Sequence, residues 1–232
     1  MAKRLGGLID QQRSFAGDAS HQLRTPLTAL RLRLEQAGEL AAPSPELAQI
    51  HIDEALNETD RLAHLTEQLL RLARAEGSVL ESESLDVCEI VRDRAQEWQY
   101  LADERDVEIT VEAPDNLIID ANQLAVREII DNYVDNALEV APPKSQITLS
   151  VRALADVVEI VVSDSGRGMS QQQCDRAFDR FWRADVDSNR RTGSGLGLAI
   201  VAQLAQASGM QVELRQSPNG GVDAVLDIPK SQ

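Results

Sequence analysis

The sequence predicts an α+β protein in two parts: a helical hairpin that dimerises into a four-helix bundle, followed by an α/β sandwich. Three observations carry that expectation. Apolar residues before residue 77 recur only at helical spacing, a short polar stretch then interrupts them, and beyond it β-branched runs alternate with helical ones. With 232 residues, 43% of them hydrophobic and 26% charged, the chain has the balance of a folded protein with room for two small domains.

From about Lys3 to Glu76 no run reads as a strand, and Ala41-Ala42-Pro43-Ser44-Pro45 breaks the helical pattern in two. The first helix carries Ala16, Ala19, Leu23, Leu27, Leu30 and Leu34 on one stripe, and the second carries Leu47, Ala55, Leu62, Leu65, Leu69 and Leu72. Two such helices leave apolar surface uncovered, so a homodimer is expected. Residues 1–76 form this hairpin domain, residues 77–84 are small, polar and acidic and read as a linker, and residues 85–232 form the second domain. In that domain the pattern predicts a helix through Cys88–Asp103, strands at Val107–Glu112 and Leu117–Ile119, and a helix begun by Asp120 as N-cap and running to about Val140. Strands at Ile147–Arg152 and Val157–Val162 turn near Ala155-Asp156, and a helix near Leu196–Ser208 with strands at Gln211–Arg215 and Val222–Ile228 closes the domain.

Composition removes several classes of function. The net charge is −15, of which −13 falls after residue 76, opposite to the basic surplus that a general nucleic-acid binder needs to displace counterions. No window of about 18 apolar residues is present and the amino terminus lacks a signal-peptide core, so this chain is read as a soluble piece that does not itself span a membrane. Cys88 and Cys174 lack a CxxC partner or nearby histidine ligands, and read as packed thiols in a reducing compartment.

Taking His21 as zero on a helical wheel, Leu23, Leu27, Leu30 and Leu34 fall between about 180° and 240°, so the histidine faces solvent. Asp18, Arg24, Thr25 and Thr28 share its polar face. An imidazole with an ordinary pKa of about 6.5 is mostly neutral at pH 7 and keeps a lone pair for attack on phosphorus. Spacing alone favours the plainer reading of an exposed helix residue. His51 lies on the apolar stripe of the second helix and reads as a packing or dimer-interface residue, and His64 lies on its polar face; neither is assigned a function.

No GxxxxGK[ST] cradle is present. Gly193-Ser194-Gly195-Leu196-Gly197 is a glycine-rich turn at a helix start, which offers backbone N–H groups and the positive end of a helix dipole to an anion. Asp164-Ser165-Gly166-Arg167-Gly168-Met169 follows a strand and puts a carboxylate where it could accept a hydrogen bond from an exocyclic amine. Asn132 and Asn136 are one helical turn apart, so their amide oxygens could reach a hydrated magnesium ion together. Arg176, Arg180, Arg183, Arg190 and Arg191 form a basic cluster suited to a triphosphate, or to ion pairs with Asp175, Asp179, Asp185 and Asp187.

Taken in order these segments resemble a known family. Ser20-His21-Gln22-Leu23-Arg24-Thr25-Pro26-Leu27-Thr28 resembles the H-box of sensor histidine kinases of bacterial two-component systems. Asn132-Tyr133-Val134-Asp135-Asn136-Ala137, Asp164-x-Gly166-x-Gly168, Phe178-Asp179-Arg180-Phe181-Trp182-Arg183 and Gly193-x-Gly195-x-Gly197-Leu198 are similar to its N, G1, F and G2 boxes. Proline inside a helix costs about 3 kcal/mol, yet the family tolerates one at the place of Pro26. The resemblance covers the chain from His21 to Ala199 and implies a sandwich of the histidine kinase, gyrase and chaperone ATPase type. It also implies autophosphorylation of His21 from ATP with Mg2+ and transfer to an aspartate of a response regulator receiver domain. Asn136 would be the main magnesium ligand, Asn132 a phosphate or metal contact, and Asp164 the adenine reader beside Gly166 and Gly168. Gly193, Gly195 and Gly197 would close the triphosphate pocket, with Arg183 the first arginine to reach ATP. Family habit further implies a cytoplasmic fragment of a longer, membrane-anchored parent with its sensor upstream.

Several positions depart from the family pattern. Gln22 stands where an acidic residue usually takes the imidazole proton, and Asp18, one turn earlier, is the substitute base. Gln22-x-x-Thr25 is similar to the motif for dephosphorylating the partner, which leaves that second activity open. Glu139 and Val140 replace the usual basic and aromatic residues of the N box, which implies weaker nucleotide affinity. Related ATPases place a water-activating glutamate four residues before the magnesium asparagine; here that residue is Asn132, so transfer to His21 is the better reading than hydrolysis. The alternative is a degenerate, non-catalytic scaffold that dimerises and docks a partner.

Overall fold

A computed structural model describes residues 23–75, 81–184, 194–218 and 220–230. The chain divides into two units, Met1–Leu70 and Arg71–Gln232.

In the first unit, helix α1 (residues 23–40) turns at 41–43 into α2 (Pro45–Ala75). Pro45 opens α2, where its missing N–H costs nothing, and the Ser44 carbonyl accepts the Ala48 N–H at 3.1 Å. Pro26, Ala37, Ala48, Ala55, Leu65 and Gln68 are buried. Leu27 and Leu34 each remain 52% exposed, and Leu47, Ile50 and Leu56 are exposed with them, so two helices of one chain do leave apolar surface uncovered. Ala16 and Ala19 of the predicted stripe lie outside the described residues.

The second unit runs β1 (Glu83–Asp86), α3 (Val87–Glu104), β2 (Val107–Glu112), β3 (Ile118–Ala121), α4 (Gln123–Val140), β4 (Ser145–Ala153), β5 (Val157–Ser163), α5 (Gln171–Arg176), α6 (Gly197–Ala207), β6 (Gln211–Gln216) and β7 (Val222–Pro229). Five strands form one sheet in the order β2-β4-β5-β7-β6, parallel between β2 and β4 and antiparallel elsewhere, while β1 and β3 pair separately. Alternation sorts the two faces. Ile147, Leu149 and Val151, then Val158, Ile160 and Val162, then Ala224, Leu226 and Ile228 are buried on the face that α3, α4 and α6 cover. Thr110, Thr148, Glu159, Arg215 and Asp227 occupy the other face, with the two threonine hydroxyls 3.2 Å apart and Arg215 donating to Glu159 at 3.1 Å. The result is the α+β architecture expected, with helices on one side of a twisted sheet.

Helix α4 is held from two directions. Val126, Ile129, Ile130, Tyr133, Val134, Ala137 and Leu138 bury one stripe, and the Tyr133 hydroxyl donates to the Val225 carbonyl at 2.9 Å. Burial pushes the Tyr133 pKa far up, so the hydroxyl stays a donor. From α3, Trp98 Nε1–H donates to Asp131 at 2.7 Å, and buried Arg94 reaches both Asp131 and Glu97.

Three local expectations need correction. The N-cap of α4 is Asn122, whose side chain accepts the Ala125 N–H at 2.9 Å; Asp120 instead pairs with Ser84 inside the β1–β3 ladder. β1 begins at Glu83, within the stretch read as linker, because it finds partners 32 to 38 residues later that no local pattern announces. Helix α5 was not anticipated, although its capping box, Ser170 with Gln173, is written in the sequence. Cys88 and Cys174 are buried free thiols, their pKa values raised first by burial. No described helix is long and apolar enough to cross a membrane.

Tyr133→Phe keeps the ring but removes the hydroxyl bond to the Val225 carbonyl. Urea unfolding of the chain should show a loss of about 1–2 kcal/mol.

Candidate active site

A cavity of about 340 Å3 opens beside α4, at the end of β5 and the start of α6. Tyr133, Ala137, Val140, Val162, Leu214 and Ala224 give it apolar walls, and Asn136, Glu139, Asp164, Arg167 and Gln173 supply its polar groups. Such a few polar groups in an apolar wall suit a planar ligand with one specific recognition point.

Asp164 is placed by the sheet. It follows the last residue of β5, its N–H donates to the Val222 carbonyl at 3.0 Å, and its Oδ1 accepts the Gly166 N–H at 2.7 Å. The residue is only 7% exposed. Burial raises its pKa above the usual carboxylate range, the backbone donors pull against this, and Asp223 adds to it. Gly221 is required behind it, since a Cβ there would lie 2.0 Å from the Asp164 carbonyl oxygen.

Asn132 and Asn136 project from α4 along one edge of its buried stripe and are half-buried. Each spends its amide nitrogen on the helix itself: Asn132 Nδ2 donates to the Glu128 carbonyl and Asn136 Nδ2 to the Asn132 carbonyl, both at 2.7 Å. The amide orientation so fixed leaves both Oδ1 atoms as the acceptors for another group. Gly197 begins α6 against them, where a Cβ would sit 2.9 Å from Asn132 Oδ1 and 3.7 Å from Asn136 Nδ2. Helix α6 has no side-chain cap at Leu196, so its first N–H groups remain to be satisfied by something else. Gly195, at φ +71°, accepts the Phe181 N–H at 2.8 Å and so clasps the segment around Phe181 to the start of α6.

Among the described residues, the fold gathers most of those predicted for the nucleotide site. Asn136, Asp164 and Gly168 line the cavity, Gly166 closes on Asp164, and Asn132 meets Gly197. Arg183 is exposed and not part of the lining; Arg167, within the glycine run but not singled out from the sequence, lines it instead. Glu139 and Val140 both line the cavity. Desolvation first, then the charge of Asp135, pushes the Glu139 pKa up, with Arg183 and Arg105 acting against them. Arg176 pairs with Asp179 at 3.8 Å and lies 6.0 Å from the Trp182 ring centre, a structural engagement. Thr25 is exposed on α1, and His51 lies 3.1 Å from Glu54. Asp18, His21, Gln22, Gly193, Arg190 and Arg191 lie outside the described residues. Among the described residues no three His, Cys, Asp or Glu side chains cluster as metal ligands, and the Asn132 and Asn136 amide oxygens are the donors whose hardness and direction fit Mg2+.

With the two units and the cavity described, comparison with known proteins places the chain. The His Kinase A (phospho-acceptor) domain matches residues 11–78, and the histidine kinase-, DNA gyrase B- and HSP90-like ATPase domain matches residues 121–232. The chain belongs to the sensor histidine kinase family. It is 34% identical to the swarming motility regulation sensor protein RssA of Serratia marcescens, over 98% of this chain and 49% of RssA. It is 32% identical to the sensor-like histidine kinase SenX3 of Mycobacterium tuberculosis, over 94% of this chain and 54% of that protein. The chain thus spans about half the length of these curated relatives. The histidine kinase AdeS of Acinetobacter baumannii shares the fold with a TM-score of 0.69 at 21% identity, over 91% of this chain and 98% of that one. The histidine kinase ThkA, solved in complex with the response regulator TrrA, does so at 0.77 and 19% identity, over 99% and 64%.

Because the folded state raises the Asp164 pKa, it holds this proton more tightly than the unfolded chain, and stability falls as pH rises through that range. Asp164→Asn should therefore raise the melting temperature at pH 7, with the gain vanishing below the unfolded pKa of 3.8. Melting curves across pH check it.

Proposed function

We propose that this chain is the core of a sensor kinase that phosphorylates His21 from ATP and passes the phosphoryl group to an aspartate of a response regulator receiver domain. The observation that carries the reading is the convergence of Asp164, Asn136 and the start of α6 on one cavity, in a chain with a phospho-acceptor domain upstream. Residues 1–76 are taken as the phosphotransfer hairpin, 77–84 as linker and 85–232 as the ATP-binding domain. A second copy covers Leu27, Leu34 and Leu47 in a homodimer. A membrane-anchored parent holds this piece on its cytoplasmic side.

Asp164 accepts the exocyclic amine of adenine while Val140, Val162 and Leu214 enclose the ring. The Asn132 and Asn136 amide oxygens would hold Mg2+, which when bound would supply charge neutralisation for the phosphates. The first N–H groups of α6 approach the phosphate oxygens where Gly197 removes the side chain that would block them. His21 attacks the γ-phosphorus with its ring lone pair; the N–P bond forms as the bond to the β–γ bridging oxygen breaks, and ADP leaves with that electron pair. Asp18 takes the imidazole proton, because Gln22 has no basic atom to do so. The phosphohistidine then yields the group to a receiver carboxylate. The protein contributes position and charge rather than a covalent step of its own beyond His21.

Incubation with γ-labelled ATP and magnesium tests the reading. The chain should acquire acid-labile, alkali-stable label, His21→Ala none, and Asn136→Ala about a hundredfold less. Phosphate release without protein label would indicate an ATPase, and neither despite ATP binding a scaffold. Asp18→Asn should slow labelling by about a hundredfold or more; an unchanged rate removes Asp18 as the base.

A further inference from the structure

We propose that Glu139 makes nucleotide binding depend on the divalent cation, by disfavouring the metal-free triphosphate and favouring the metal-bound one. This rests on the nucleotide reading above and concerns the one wall of the cavity where a carboxylate replaces a basic group. Asn132, Asn136 and Glu139 stand at i, i+4 and i+7 on α4, a single stripe of the helix. The adjoining stripe is locked, with Ile129, Ile130 and Tyr133 buried and the Tyr133 hydroxyl bound to the Val225 carbonyl. The backbone of Glu139 is thereby held at the cavity, which the exposed Glu139 side chain lines.

The charged side chains lining the cavity are Glu139, Asp164 and Arg167, two carboxylates against one guanidinium. Uncomplexed ATP carries a charge of about −4 and its magnesium complex about −2, so a carboxylate nearby repels the first roughly twice as strongly as the second. A cation held at the Asn136 amide lies one helical turn from Glu139, where the carboxylate attracts it directly or through its hydration water. A lysine or arginine at this position would attract both forms and discriminate little between them. The competing arrangement is that Arg183 and Arg105, whose charges act on Glu139, neutralise it outright. In that case nucleotide binding would be indifferent to its charge.

The test is calorimetric binding of a non-hydrolysable ATP analogue to the whole chain, in excess magnesium and in EDTA, for the wild type, Glu139→Gln, Glu139→Lys and Asn136→Ala. Glu139→Gln should reduce the ratio of the two affinities by about tenfold, chiefly by tightening metal-free binding, and Glu139→Lys should reduce it further. Asn136→Ala should weaken the magnesium complex without tightening the metal-free one. An equal ratio in the wild type and both Glu139 variants overturns the proposal and leaves the nucleotide site standing. A wild-type chain that binds no nucleotide in either condition overturns both.

Discussion

Helix α4 has to satisfy two environments at once, and the rest of the catalytic unit is arranged around that demand. One stripe is apolar and buries against the sheet; the other carries Asn132, Asp135, Asn136 and Glu139. A helix with a polar functional stripe cannot choose its rotation by hydrophobicity alone, because small rotations lose little buried area. The Tyr133 hydroxyl removes that freedom with a directional bond to Val225, and Trp98 and Arg94 remove it again by gripping Asp131 from α3. Hydrogen bonds of this kind contribute modestly to net stability but penalise every orientation that leaves them unmade.

A second constraint operates at backbone level. Asp164 can sit at the end of β5 with its carboxylate in the cavity only if the chain behind it carries no side chain, and Gly221 meets that condition from β7's leading turn. The strained turns at Phe181 and Gly195 serve the start of α6 in a similar way, each with a positive φ and joined by one backbone hydrogen bond. Burial makes the ionised form of Asp164 costly. Such a site trades stability for a preformed acceptor, a common balance where binding groups are held dry before the ligand arrives.

Much of the fold was legible in the sequence because its elements are locally self-consistent. β5 and β7 are β-branched runs with inward positions at period two, α4 has a clean apolar stripe, and the Pro43 and Pro45 break separates the hairpin helices. β1 was not legible, since Glu83–Asp86 has no strand composition and exists only because β3 lies beside it. The N-cap of α4 went to the wrong residue for the same reason: Asp120 and Asn122 are equally good caps, and the ladder to Ser84 claims the first. In the site, Asn136, Asp164 and the glycine turns were readable as chemical types, whereas Arg167 was hidden in a turn that reads as glycine scaffold.

By itself the sequence determined which groups this protein can bring to a site: paired helical amides, a strand-end carboxylate, glycine turns that admit an anion, and a histidine within the phospho-acceptor segment. These depend on residue type and short-range spacing, which the chain carries wherever it goes. Tertiary structure alone decided that Asn136 and Asp164, nearly thirty residues apart, line one cavity, that Gly197 meets Asn132, and that Arg167 rather than Arg183 lines the wall. Those outcomes depend on strand order and helix rotation, and both are settled by contacts between segments far apart in the chain, where no local pattern can record them.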